Sequence, residues 1–207
     1  MKLNKYQQIA NRISSGASVL DVGCGSGALG YALKEKGCVL TGIDLKLDRL
    51  NGNRDHYQLL EERDIEAQGF KNEKYDVIVF SDVLEHLNDP TNVLKISRDR
   101  LSFEGTVLVS LPNVAYLDNR FGLMKGNWNY TDEGILDRTH LKFFTLSTAD
   151  QLLISAGFKI QGIEPEIPII RSAWKSGAFA LLSKIWPGLF ACGWVFQGYY
   201  CPSSKEV

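Results

Sequence analysis

Two patterns of apolar positions alternate along this chain. Short, nearly continuous apolar runs are separated by stretches whose apolar residues recur every three or four positions. The runs are Ala17-Ser-Val-Leu-Asp-Val, Cys38-Val-Leu-Thr-Gly-Ile-Asp44, Tyr57-Gln-Leu-Leu leading to Arg63-Asp64, Tyr75-Asp-Val-Ile-Val-Phe and Gly105-Thr-Val-Leu-Val-Ser-Leu. Runs of this kind predict strands buried on both faces of a parallel sheet. The helical stretches are Asn4 to Ser14 (Tyr6, Ile9, Ala10, Ile13), Ala28 to Lys36 closing on Gly37, Pro90 to Leu101, and Ser147 to Ala156. The last has Ser147 or Thr145 as its cap and Gly157 as its stop. Leu45 to Arg54 reads as a short helical or irregular link. Further on, Phe158 to Ile163 and Gly193 to Tyr200 read as strands, and Trp174 to Trp186 as a helix ended by Pro187. Alternating strands and helices predict an α/β fold with helices on both faces of the sheet. In such sheets ligands bind at the carboxyl ends of the strands, near the switch in strand order. Asn113 to Leu141 breaks the rhythm, as a lid or binding loop would.

Composition narrows the class only slightly. The 207 residues carry a net charge of −1, with 44% hydrophobic and 23% charged residues. This fits one globular domain spanning residues 1–207, with residues 113–141 as an insertion. A near-zero charge argues against nucleic acid as a partner, because phosphate binding needs a lysine and arginine excess. Charge thins toward the C-terminus while aromatic residues accumulate there. Cys24, Cys38, Cys192 and Cys201 form no C-x-x-C pair, and the polar opening Met1–Gln8 offers no signal-peptide core. The expectation is four free thiols in a cytoplasmic protein. No transmembrane segment is expected: Pro187, Gly188, Gly193 and Gln197 interrupt the apolar stretch from Ile185 to Cys201.

The candidate chemistry begins at Gly25-Ser-Gly27-Ala-Leu-Gly30, a G-x-G-x-x-G loop with Asp44 about 20 residues on. It is compatible with a dinucleotide, with S-adenosylmethionine, or with a bare turn. Asp21 separates the first two. A carboxylate just before the loop repels a pyrophosphate but attracts the ammonium of S-adenosylmethionine, whose carboxylate suits the backbone N–H groups beyond it.

Val19-Leu-Asp-Val-Gly-Cys-Gly-Ser-Gly27 resembles motif I of the class I S-adenosylmethionine-dependent methyltransferases. The resemblance continues through Asp44, through Asp64 with Ile65, through Ser81-Asp-Val-Leu-Glu-His-Leu-Asn-Asp-Pro90 and through Leu111-Pro-Asn113. The segment Tyr130 to Thr145 resembles bacterial methyltransferase type 11, 12 or 23 domains, and Asp-Val-Leu-Glu-His resembles the ubiquinone-biosynthesis O-methyltransferase. The resemblance implies a Rossmann-like, doubly wound, seven-stranded sheet, mostly parallel with an antiparallel last strand. It implies a cofactor site lined by Asp21, Gly23, Cys24, Gly25, Gly27, Asp44, Leu45, Asp64, Ile65, Ser81, Asp82 and Val83. Within it, Asp44 would hold the ribose hydroxyls, and Asp64 with Ile65 the adenine.

A hydroxyl acceptor must lose a proton during methyl transfer, and His140 and His86 are the candidate bases. Asp82, Glu85, His86 and His140 also resemble the ligand set of some metal-dependent methyltransferases, so a divalent metal is a further candidate cofactor. His56 is assigned no role. Phe121, Trp128 and Tyr130 would either stack on a ring acceptor or anchor the lid, and Arg120, Lys125 and Arg138 would either meet an acidic acceptor group or be solvated. The C-terminal aromatic stretch has three readings: core, homodimer face or membrane contact. The function expected is O-methylation of a small-molecule or glycan hydroxyl. The rival readings are a nicotinamide-dependent oxidoreductase and a non-catalytic S-adenosylmethionine-binding protein.

Overall fold

The computed structural model describes residues 4–50, 52–168, 181–182 and 185–200. Seven strands form one sheet: β1 (Ser18–Val22), β2 (Val39–Asp44), β3 (Leu59–Glu62), β4 (Tyr75–Ser81), β5 (Leu101–Pro112), β6 (Lys159–Glu166) and β7 (Gly193–Tyr199). Their order is β3-β2-β1-β4-β5-β7-β6. The first five run parallel, and β7 lies antiparallel between β5 and β6. The described helices are α1 (Lys5–Asn11), α2 (Ala28–Leu33), α3 (Ile65–Gln68), α4 (Pro90–Arg98), α5 (Leu117–Met124), α6 (Leu146–Ser155) and α7 (Pro187–Phe190). The expected seven-stranded α/β sheet with an antiparallel last strand is therefore present.

Strand β4 shows why its run is continuously apolar. Val77 and Val79 join Ile9 of α1, Ile13 just after it, and Leu29 and Leu33 of α2 on one face. Ile78 and Phe80 join Val93, Leu94, Ala149 and Leu153 of α4 and α6 on the other. With both faces covered, the four positions Val77 to Phe80 are all core, and each large side chain buried contributes about 1.5–3 kcal/mol. Helix ends follow local chemistry. Asn4 and Thr145 form capping boxes, Asp89 caps α4 ahead of Pro90, and Gly157 turns the chain after α6 at φ +90°.

Several boundaries differ from expectation. Strand β5 begins at Leu101, which pairs with Tyr75; residues 102–105 then bulge out before Thr106 pairs with Val77. Gly105 permits the bulge, since a Cβ there would lie 3.0 Å from the Ser102 carbonyl oxygen. The third strand excludes Tyr57, whose ring is buried beneath the glycine loop. The insertion at 113–141 contains α5, which buries no residue and so lacks an apolar stripe to announce it. The expected helix Trp174–Trp186 falls largely outside the described residues, as does Cys201. Cys24, Cys38 and Cys192 are free thiols. Among the described residues no helix is long and apolar enough to cross a membrane.

The sheet order places the switch point between β1 and β4: the chain moves outward through β2 and β3, then returns to β4 on the other side of β1.

Candidate functional site

The loop after β1 is built on left-handed backbone. Gly23, Gly25 and Gly27 have φ of +71°, +50° and +75°, which glycine adopts at little cost. The Gly23 and Cys24 amides donate to the Ile43 carbonyl, and the Gly25 amide donates to Asp44 Oδ2 at 2.8 Å. Asp44 Oδ1 accepts from the Lys46 amide at 3.2 Å. Asp44 thus clasps the loop while each oxygen keeps acceptor capacity. Leu45, beside it, is exposed. Asp64 is exposed and caps α3 with one oxygen, accepting from the Glu66 and Ala67 amides. The Ile65 side chain belongs to the core, leaving only its backbone for a ligand. Burial, with Asp21 and Asp44 nearby, pushes the Cys24 thiol up to about 12, so it packs rather than reacts.

Asp21 is 2% exposed, and among the described residues no basic side chain pairs with it. Burial pushes its carboxyl up to about 7, against the hydrogen bond from Tyr57 and with Asp44 adding to the rise. A buried acid short of a cation fits an ammonium-bearing ligand.

At the end of β4, Val83 closes over the loop: a Cβ on Gly23 would lie 2.4 Å from its Cγ2. Asp82 takes left-handed φ of +53°, held by Ser110 Oγ donating to Oδ1 at 2.6 Å and by an ion pair with Lys5 of α1. Ser81 hydrogen-bonds Tyr6. Helix α1 therefore reaches the carboxyl edge of the sheet through both Lys5 and Tyr6.

Glu85, His86 and His140 converge just beyond, with one ligating atom of each within 4.8 Å of the others. Glu85 is fully buried and neither carboxylate oxygen has a hydrogen-bond partner, so burial pushes its carboxyl up to about 7. Its carbonyl accepts from the Leu141 and Lys142 amides, which moors the end of the insertion to the turn after β4. The histidine rings meet edge to face at 4.8 Å. His140 Nδ1 lies 3.1 Å from the Ile135 carbonyl oxygen. A carbonyl only accepts, so Nδ1 carries the proton and Nε2, 3.9 Å from Glu85 Oε1, presents a lone pair. His86 Nδ1 faces the Thr139 carbonyl at 3.3 Å in the same way. Burial, opposed by the Ile135 bond, holds the His140 imidazole below its ordinary value. Asp137 shapes this turn, accepting at 2.7 Å from both the amide and the hydroxyl of Thr139.

The structure corrects one expectation: Asp82 stands outside the metal-ligand set expected of it, because Ser110 and Lys5 take its carboxylate. Arg120 and Arg138 are exposed, Arg138 pairing with Asp132 and Arg120 donating to the Ala115 carbonyl. Phe121 is half exposed, whereas Trp128 and Tyr130 cluster with Phe143, which in turn touches His140. Tyr57, Lys5 and Tyr6 escaped the sequence reading. A signal for Tyr57 existed in Gly42, a glycine inside an apolar strand, which marks a close approach. An open cleft of about 1430 Å³ lies at the opposite end of the strands around Arg12, Asp76 and Phe103 and includes none of the expected site residues.

The profile of the family described as "Methyltransferase domain" matches residues 3–162. The ubiquinone biosynthesis O-methyltransferase of Haemophilus ducreyi is 33% identical over 124 residues, covering 55% of this chain and 52% of that protein. That of Psychrobacter arcticus is 29% identical over 169 residues, covering 76% and 65%. The chain thus matches about half the length of the first and less than two thirds of the second. The S-adenosylmethionine-dependent methyltransferase of Archaeoglobus fulgidus superposes with a TM-score of 0.66 at 19% identity, covering 94% and 90% of the two chains. One from Methanosarcina mazei gives 0.67 at 17%, covering 97% and 100%. At these identities the structural likeness is one of fold, and the profile match carries the relationship. The chain belongs to this methyltransferase-domain family and shares the fold of S-adenosylmethionine-dependent methyltransferases.

Proposed function

We propose that the enzyme methylates a hydroxyl oxygen of a small-molecule or glycan acceptor, with His140 as the base and His86 beside it. The observation that carries this reading is the pair of imidazoles beyond β4, one presenting an unprotonated Nε2 just past the residue that packs on the glycine loop. In this reading Asp21 meets the ammonium of S-adenosylmethionine, the loop amides its carboxylate, Asp44 its ribose, and Leu45 and Asp64 its adenine. When bound, S-adenosylmethionine would supply the methyl group, an O–C bond forming as the S–C bond breaks and sulfur keeps the electron pair. His140 Nε2 takes the hydroxyl proton, helped by an imidazole that is neutral at pH 7. Most of the rate enhancement comes from orientation. Residues 113–141, with Trp128, Tyr130 and Phe143 stacked beside His140, form the acceptor side. The names of the curated relatives support an oxygen acceptor.

A second reading adds a divalent ion held by Glu85, His86 and His140. The donor set fits: one orphaned buried carboxylate and two imidazoles oriented through Nδ1 by carbonyls. Mixed oxygen and imidazole donors suit zinc or manganese better than magnesium. When bound, such an ion lowers the pKa of a coordinated hydroxyl.

The test is methyl transfer to a panel of catechols, quinols and sugars. Asp44→Ala should abolish binding of S-adenosylhomocysteine, while His140→Ala should spare it and lower turnover about 100-fold, a typical share for a general base. Undiminished turnover in His140→Ala refutes the base assignment. Turnover unaffected by exhaustive chelation removes the metal.

A further inference from the structure

The ring of Tyr57 sits in a cradle of glycines from three different elements. A Cβ on Gly30 of α2 would lie 2.6 Å from its Cε2, and one on Gly42 of β2 would lie 2.9 Å from its Cδ1. One on Gly27 of the loop would lie 3.4 Å from Cε2. These absences of side chain admit an aromatic ring beneath the cofactor loop and hold it there. Its hydroxyl accepts from the Gly30 amide at 3.3 Å and donates to Asp21 Oδ2 at 2.6 Å. One group therefore ties together the motif acid, the first turn of α2 and β2.

We propose that Tyr57 is a positioning residue for the amino-acid end of the cofactor, and that the Asp21–Tyr57 pair releases one proton when that end binds. This rests on the S-adenosylmethionine assignment above and adds a linked protonation to it. The geometric ground is the isolation of Asp21. Its strand neighbours across the sheet are Gly42 and Val79, neither of which titrates. The titratable groups facing it are Tyr57, Tyr6 from α1, Cys24 from the loop and Asp44 from β2, and none supplies a positive charge. Without ligand, burial therefore favours the neutral acid, whose carboxyl stands at about 7. An arriving ammonium favours the carboxylate, so the proton leaves to solvent and the Tyr57 hydroxyl stays as donor to the charge that remains. Proton release coupled to binding makes affinity fall as pH is lowered, by about tenfold per pH unit below 7.

The experiment is calorimetry of S-adenosylhomocysteine binding to the whole protein from pH 5.5 to 8.5, in two buffers of different ionisation enthalpy. The wild-type chain should release close to one proton at pH 6 and almost none at pH 8.5. Asp21→Asn should bind with no proton release and a flat pH profile. Tyr57→Phe keeps the ring and removes the hydroxyl; it should weaken binding about tenfold and move the fall in affinity to higher pH, because the carboxylate has lost its donor. A role limited to packing would lower the unfolding midpoint and leave the pH profile where it was. Wild-type binding without proton release, or release that persists in Asp21→Asn, overturns the linkage and leaves the cofactor assignment standing. An unchanged pH profile in Tyr57→Phe overturns the positioning role. No binding of the adenosyl ligand at any pH overturns the assignment as well.

Discussion

Gly30→Ala separates a rule of local propensity from a constraint of tertiary packing. Position 30 lies inside α2, where alanine is worth about 1 kcal/mol more than glycine. Local reasoning therefore predicts stabilisation. The structure predicts the opposite. The new methyl would stand 2.6 Å and 2.9 Å from Cε2 and Cζ of Tyr57, and 3.1 Å from Cβ of His56. The ring cannot retreat toward β2, because Gly42 already approaches its far edge within contact distance. A displacement of close to 1 Å, enough to restore ordinary contact, also stretches the 2.6 Å bond to Asp21. Overpacking costs about 1–3 kcal/mol, and weakening a hydrogen bond to a buried acid costs about 1–2 kcal/mol more. Set against the helix gain, the net destabilisation is about 1–4 kcal/mol. Urea denaturation measures it directly. The double variant Gly30→Ala/Tyr57→Ala supplies the control: with the ring gone, the alanine should be neutral or stabilising, giving a coupling of about 2–5 kcal/mol. If Gly30→Ala alone is as stable as the wild type, Tyr57 is not wedged and the cradle argument fails.

The buried Glu85 carboxyl, pushed from 4.5 to about 7, makes stability pH-dependent. Because its folded value is the higher one, its contribution is fully present below about 4.5 and is lost as pH rises through 7, reaching a cost of about 3 kcal/mol. In the presence of chelator, Glu85→Gln should therefore gain stability over wild type between pH 5.5 and 8.5 in urea titrations; parallel curves would contradict the burial argument. Glu104 holds an exposed φ of +63° in the β5 bulge. Glu104→Gly should raise the thermal midpoint by about 1–4 °C, a gain of about 0.5–1 kcal/mol, without altering cofactor affinity. Thr145→Ala removes the capping box of α6 and should cost about 1 kcal/mol in urea titrations; an unchanged midpoint would mean the cap contributes nothing.

The parts of the site that were readable along the chain are those made by neighbours in sequence. Glycines 23, 25 and 27 shape one turn, Asp21 precedes it, and Asp44 ends the next strand, so spacing alone places them together. Glu85, His86 and His140 were readable as one candidate ligand set only through the family resemblance, because His140 lies more than 50 positions away and is brought in by backbone bonds from 141 and 142 to the Glu85 carbonyl. Asp82 shows the converse error. Its place beside Glu85 in sequence suggested a shared role, but a left-handed turn sends its carboxylate to Ser110 and Lys5 instead. Tyr57 carried no motif, since its value lies in three glycines on other elements.

Hydrophobic periodicity and turn residues are local quantities, set within a few positions of backbone, and they were enough to lay out the alternating strands and helices, the glycine loop and the acids at two strand ends. Which strand ends become neighbours depends on sheet order, and sheet order is chosen by burying both faces of β4 and β1 at once. That global choice decided the rest: a carboxyl at Asp21 sealed against a tyrosine from another element, and an acid and two imidazoles from opposite sides of an insertion meeting beyond β4.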